Sequence, residues 1–422
     1  MFRRRRRSVR TVGSFFEIVV VNCASAISDR PRSGDAGKAL VESLSSALSA
    51  DAPQLVFLFA SAHFEDELDD ALAAIQAVYP DSVIVGCTAQ GTIGGRREIE
   101  RGPSMAALAA VLPGVRVSPF ALTQAQLESM TGAATWESMI GDSPENVPVF
   151  VAFGDPFSVD IQRFVAGLNA TFPGSPLFGG VASAAEEPGQ NRLVADCEIC
   201  YEGMVGVALS GNIDVVDVVS QGCRPIGRPF VITRATRNII HELGGQPPLA
   251  QFQAVFRELD AGDEKLAREA LLIGRAIDER RDVFQRGDFL IHNIMAADSS
   301  SGAIAIAGPA RVGTTVQFHV RDAQCADEDL KHLLAPHAAR TDRPPYAAAL
   351  LFGCNGRGTR MWPYPNHDIN VLHEVVGPIP TAGFFCAGEF GPVGGRNFIH
   401  GFTASIALMR PRTESGGGSE RV

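Results

Sequence analysis

The segment Phe352-Gly353-Cys354-Asn355-Gly356-Arg357-Gly358 places a thiol, an amide and a guanidinium directly after an apolar run. Its glycines lack the side chains that would keep backbone N–H groups away from a ligand. Arg357 carries the planar donor fork that holds a carboxylate through two parallel bonds. The same arginine in a turn can instead pair with a structural carboxylate. Glu389 follows the next apolar run of the same region, so the two groups can face each other across a cleft and grip a zwitterion, or close an internal salt bridge. Asn397 and His400 come shortly after. A histidine between apolar neighbours reads as a satisfied core group or, beside Cys354 or Cys386, as the base of a thiol nucleophile pair. Near the middle of the chain Asp155 and Ser183 are candidates for a counterpart cleft, although Gly154-Asp155-Pro156 also reads as an Asx-turn or N-cap. Arg224, in a turn after a strand, is a ligand contact or an exposed loop charge.

No HExxH, GxSxG or paired-carboxylate signature accompanies these residues, so no reaction declares itself. The glycine stretches lack GxGxxG spacing after the first strand, and no GK[ST] occurs, which leaves nucleotide binding unsupported and no cofactor expected. Cys197 and Cys200 have CxxC spacing but no second pair, so the expectation is no metal site. Eight cysteines scattered through 422 residues suit a reducing interior and a cytoplasmic protein. Lys+Arg 37 against Asp+Glu 47 gives a net charge of -10, which repels phosphate backbones and argues against a nucleic-acid partner. No apolar run approaches the roughly 18 residues of a membrane span. Five arginines at 3–7 followed by an apolar stretch mimic a secretory signal, but Glu17 and Asn22 interrupt it, and residues 1–15 read as a basic leader. The glycine-rich stretch within 411–422 reads as a flexible tail.

The elements that must position these groups are written three times. In the first unit an apolar run at 54–59 precedes an acidic turn, then Leu68, Leu72, Ile75 and Tyr79 at helical spacing, a proline stop, and a second apolar run from Val83. The second unit runs 149–153, a helix with Ile161, Val165, Leu168 and Phe172 on one face, and 176–183. The third runs 348–352, a helix with Asp368 as its N-cap, and 381–385. Each step suits a parallel crossover, with a ligand outside the carboxyl ends of the strands. Between the second and third units alternation predicts antiparallel strands at 205–209, 215–219, 304–306 and 315–320, with a helix over 252–272. The fold class is therefore α/β: a mixed multi-layer architecture of repeated strand-helix-strand units with an antiparallel portion, divided near 227–232. The acidic stretch at 64–70 is a further candidate, as a partner surface.

The motifs resemble the FIST family, in its N and C parts. The N-terminal likeness rests on 55–61, 84–87, Asp155-Pro156-Phe157, 178–183 and 220–227. The C-terminal likeness rests on 287–290, Phe318-His319-Val320-Arg321-Asp322, 354–358 and 382–403. The resemblance implies a FIST N-like domain over 16–228 and a FIST C-like domain over 229–410. It implies a sensory, signal-transducing protein that binds a small ligand, amino acids being the proposed class, without established catalysis. With no kinase, cyclase or methyl-accepting part in the sequence, its output would pass to a separate signalling protein. The first glycine loop departs from the family in carrying Gln90-Gly91-Thr92 where an acidic Gly-Glu pair is frequent, which puts a charged contact there in doubt. The alternative is a cysteine-dependent enzyme using Cys354 or Cys386 with His400.

Overall fold

The structure is a computed structural model that describes residues 21–49, 51–281, 283–339 and 344–412; the basic leader and the glycine-rich tail lie outside the described residues. All three strand-helix-strand units are present. They are Leu55–Ser61, Leu68–Gln76 and Val83–Ala89; Val149–Gly154, Ile161–Thr171 and Leu177–Val181; and Ala348–Cys354, His367–Val375 and Thr381–Cys386. In each unit the two strands pair in parallel, as crossovers of this length require. The strands are buried on both faces, because helices cover one side and a shared core the other, which is why they read as unbroken apolar runs.

Each unit is longer than the sequence pattern suggests. In the first, a strand Asn22–Ser28 and a helix Ser33–Leu48 precede the crossover, and a hairpin Thr92–Gly94/Arg97–Ile99 and a strand Met105–Val111 follow it. The second repeats this with Val115–Leu122, two short helices, the hairpin Leu193–Ala195/Glu198–Cys200 and Met204–Gly211. The third has Asp214–Gln221, the helix Ala323–Leu334, the hairpin Glu389–Val393/Arg396–His400 and Thr403–Arg410. The three sheets share one strand order, except that every hairpin joins another unit's sheet. The hairpin of unit one pairs with Thr381–Cys386 of unit three. That of unit two pairs with Val83–Ala89 of unit one, and that of unit three with Leu177–Val181 of unit two. The units are interlocked in a ring of exchanged hairpins.

The inner faces of the three sheets meet in one core. Phe59, Phe153 and Phe352 occupy corresponding positions on the first parallel strand of each unit and touch one another, with ring centroids 5.4, 6.2 and 6.2 Å apart. The outer faces pack separately under their own helices. Three glycines follow the same symmetry. Gly86, Gly179 and Gly383 lie opposite Leu58, Ala152 and Leu351, and a Cβ on any of them would come within 1.7–2.0 Å of that neighbour's carbonyl oxygen. These glycines let the paired strands close up.

Between Asp214–Gln221 and Ala323–Leu334 the third unit carries an insertion, a closed antiparallel barrel of Cys223–Thr236, Ile239–Leu243, Leu271–Ala276, Phe289–Ala297, Ile304–Ile306 and Thr315–Arg321. The helix expected over 252–272 is instead two helices and a strand. Pro248–Phe256 ends before Asp260, whose carboxylate accepts from the Asp263 N–H and starts Ala261–Glu269, and the apolar Leu271–Ala276 enters the barrel wall. The expected antiparallel strands at 205–209 and 215–219 are present, but they belong to the second and third sheets rather than to the barrel. Cys197 lies in the two-residue turn of an exchanged hairpin, where Asp196 and Cys197 have φ of 47° and 73°, as a type I′ turn requires. Among the described residues no helix is long and apolar enough to cross a membrane.

Candidate functional site

The carboxyl ends of the three parallel pairs converge, and their loops are tied together. Ser183 Oγ accepts from the Gln90 N–H at 2.9 Å and donates to the Phe385 carbonyl. Backbone bonds link Val181 N to Gly388 O at 2.8 Å, Ala387 N to Val181 O at 3.1 Å, Phe385 N to Gly91 O at 3.0 Å and Asn355 N to Cys386 O at 2.9 Å. With its amide oriented to donate to Phe385 O at 2.9 Å, Asn355 lies 3.3 Å from the Gln90 side chain. Gln90, Ser183 and Asn355, one from each unit, thus form a half-buried polar rim above the phenylalanine core.

Beside this rim the third unit holds its charges. Arg357 ends the loop after Ala348–Cys354 and is fully buried. Its Nε and Nη2 donate to the two oxygens of Asp368 at 2.6 and 2.8 Å, and its guanidinium lies 5.0 Å over the Trp362 ring. Trp362 stacks on His367 at 3.6 Å, and His367 bridges Asp368 and Asp327 at 2.9 and 3.1 Å. Asp368 is therefore not the N-cap expected from sequence. Asn366 occupies that position, and Asp368 sits in the first turn where the buried arginine needs a counter-charge. Burial alone would raise the Asp368 pKa, but Arg357 overcomes it and holds the carboxyl low, at about 2. Glu98 arrives on the exchanged hairpin of unit one and accepts from the Ile369 N–H at 2.9 Å. Burial, and then Asp368, push its pKa up to about 8.

Glu389 is also fully buried. Its Oε2 accepts from Thr403 N and Oγ1 at 3.2 and 2.7 Å, and the Cys354 thiol adjoins it. Burial raises its pKa to about 8, against the opposing pull of Thr403 and Arg357. Of the two arrangements left open by the sequence, Arg357 and Glu389 form neither: both are closed off from solvent, so no open cleft lies between them, and Arg357 pairs with Asp368 instead of Glu389. They do share one neighbourhood, and each keeps one atom there, Arg357 Nη1 and Glu389 Oε1, that is buried without a hydrogen-bond partner. Cys354 and Gly356 border it and are half-buried. Arg321, the last residue of the barrel strand Thr315–Arg321, donates through Nη2 to Gly356 O, and its Nε is likewise buried and unpartnered. Sequence reasoning missed Arg321 as a site residue, although it stands inside the Phe318–Asp322 motif.

The remaining candidates are held elsewhere by complete partner sets. Asp155 accepts from Ser158 Oγ and Asn191 Nδ2 at 2.5 and 2.8 Å. Asn397 binds Leu177 N, Ser175 O and Asn169 between the third unit's hairpin and the second sheet. Arg224 pairs with Asp263 and Asp322, which makes it neither exposed nor free. His400 lies opposite Glu389 in the hairpin, but its Nε2 bonds to Gly391 O at 3.0 Å and burial lowers its pKa to about 4. The Cys386 thiol points to Phe384 O at 3.7 Å. Burial and then Glu389 raise both thiols, Cys354 to about 12 and Cys386 well above its ordinary value. A thiolate paired with His400 is not formed.

Fold and site together define an interlocked α/β protein that conceals an incompletely paired charged cluster at the ends of its parallel strands. The chain belongs to the FIST family: the FIST N domain matches residues 54–246 and the FIST C domain residues 251–392. FIST domains are generally sensory and ligand-binding. An uncharacterized protein of Mycobacterium tuberculosis is 39% identical over 362 residues, covering 86% of this chain and 92% of its own. One of Mycobacterium bovis is 39% identical over 379 residues, covering 89% and 96%. Among solved structures a cyanuric acid hydrolase covers 93% of this chain and 100% of its own at 10% identity with a TM-score of 0.35. The enzyme from A. caulinodans gives 11% and 0.31. At such scores neither fold nor chemistry carries over.

Proposed function

We propose that the chain is a sensory protein that binds a small polar metabolite, an amino acid being the best chemical fit, in the neighbourhood of Arg357 and Glu389. One observation carries the reading: a buried cation and a buried acid of one neighbourhood each hold an atom without a partner. Such atoms cost about 1–3 kcal/mol each when left unpaired, so a molecule that satisfies them gains what the free protein forgoes. Cys354, Asn355 and Gly356 form the partly exposed approach. Asn397, His400, Asp155, Ser183 and Arg224 act as supports of the loops, rather than as contacts. In this reading the protein works in the cytoplasm and passes its state to a separate signalling protein.

Thermal denaturation across a panel of free amino acids tests this. A ligand at 100 times its Kd adds about 2.7 kcal/mol of stability. Arg357→Lys keeps a charge for Asp368 but loses the free Nη1, and should abolish the gain while remaining folded. A flat response across amino acids and other small polar metabolites would contradict the reading.

A further inference from the structure

The charged groups at this site are unevenly paired. Arg357 is matched one-to-one by Asp368. Glu389, with its carboxyl pushed up to about 8 by burial, is neutral near pH 7 and supplies no counter-charge. Arg321 has no carboxylate partner among the described residues, although it is largely buried, and its nearest charged neighbours include Arg357 and Arg360. Arg360 is exposed and donates to Asn355 O. Arg321 is therefore a largely buried cation without a paired carboxylate.

Arg321 and Arg357 belong to one neighbourhood, beside Cys223 and Cys354. Arg321 is the register partner of Cys223, the residue after Gly222. A Cβ on Gly222 would lie 3.3 Å from Arg357 Nη1, and one on Gly356 would lie 2.7 and 2.8 Å from Arg321 Nη2 and Nη1. Two glycines thus keep side-chain bulk away from both arginines. Phe402 lies beneath Arg321, at 5.7 Å from its guanidinium, and its carbonyl accepts from Gly222 N at 2.9 Å. Arg321 keeps exposed surface where Arg357 and Glu389 have none, and so marks the way in.

We infer that the ligand is a small carboxylate whose two oxygens are clamped by Arg357 Nη1 of the third unit and Arg321 Nε of the inserted barrel. Two donors from separate elements match the two oxygens of a carboxylate, and its negative charge supplies the counter-charge that Arg321 lacks. Glu389 Oε1, also buried and unpartnered in the neighbourhood of Arg357, is the partner for a second polar group of the ligand. The clamp also joins the inserted barrel to the third unit, since its two arms come from different parts of the chain. This inference rests on the small-ligand reading and adds to it the chemical class and the second arginine.

Calorimetric titration of the full chain separates the two. The probes are free amino acids, the matched carboxylic acids without the amine, the matched amines without the carboxylate, and inorganic phosphate. The variants are Arg321→Gln and Arg321→Lys, both at a half-buried position whose loss leaves no carboxylate orphaned. The clamp requires that amino acids or carboxylic acids bind and the amines do not. It requires that Arg321→Gln weaken binding at least tenfold while the unliganded protein still melts in one cooperative transition, and that Arg321→Lys restore part of the loss. Amino acids against simple carboxylic acids then tells which source the site takes. Binding untouched by Arg321→Gln, or equal binding of the amines, overturns the clamp while the small-ligand reading stands. Binding of phosphate in place of carboxylates overturns the chemical class. Silence of every probe overturns both.

Discussion

Replacing Glu389 by glutamine should flatten part of the protein's response to pH. A carboxyl raised to about 8 by burial, against an ordinary value of 4.5, holds one proton more in the native state than in the unfolded chain throughout the interval between them. The stabilisation is fully present below pH 4.5 and is lost as the pH rises through about 8. Within the interval one proton corresponds to about 1.4 kcal/mol per pH unit, so a rise from pH 5.5 to 7.5 removes about 3 kcal/mol through this group alone. Glu98 is raised to about 8 as well and contributes the same sign in both proteins, so the difference between wild type and Glu389→Gln isolates one carboxyl. Trp362, stacked on His367 and lying over Arg357, reports on this part of the fold once Trp136 is replaced by phenylalanine. Urea unfolding followed by its fluorescence at pH 5.5, 6.5 and 7.5 should show the wild type losing stability faster by about 1.4 kcal/mol per pH unit. Parallel profiles would refute a neutral, buried Glu389, and with it the charge count at the site.

Three other outcomes follow from the same geometry. Asp368→Asn strips the counter-charge from a fully buried guanidinium and should cost about 3–5 kcal/mol in urea unfolding; a loss under 1 kcal/mol would mean that Arg357 finds another partner or reaches water. Gly383→Ala sets a Cβ 1.7 Å from Leu351 O, and Gly86→Ala does the same at Leu58 O, so each should cost about 3 kcal/mol or more, or prevent soluble expression; near-neutral variants would show that the parallel strands can part. Cys354, with its thiol pushed up to about 12, has about a thousandth of the thiolate of an ordinary cysteine at pH 8, so iodoacetamide should label it far more slowly in the native chain than in urea, as read by peptide mass spectrometry. Rapid native labelling would revive the thiol-nucleophile alternative.

The three crossovers are legible because a buried parallel strand is a run of apolar residues and its helix shows one apolar face, as Leu55–Ser61 and Leu68–Gln76 do. The exchanged hairpins are not. A strand of three residues such as Thr92–Gly94 has no period to read, and its partner Ala382–Phe384 lies about 290 residues further along the chain. Most of the barrel is equally hidden. Cys223–Thr236 contains Pro225 and Pro229 and a bulge between Ile226 and Phe230, and exposed polar residues interrupt its apolar face. At the site the sequence marks Arg357 and Glu389 through their glycine-rich surroundings. It cannot tell that Asp368, eleven residues on, serves the arginine rather than the helix, since a carboxylate at a helix start suits both roles. Arg321 is invisible for a different reason: only the folding of the barrel onto the third unit brings it beside Gly356.

The most direct measurement is native mass spectrometry of the full chain as purified from cells, then titrated with amino acids. The account predicts a bound small molecule at one per chain, present on arrival or acquired in the titration, and missing from the Arg357→Lys protein. A bare mass that no amino acid or carboxylate changes, or an adduct that survives Arg357→Lys undiminished, would contradict it.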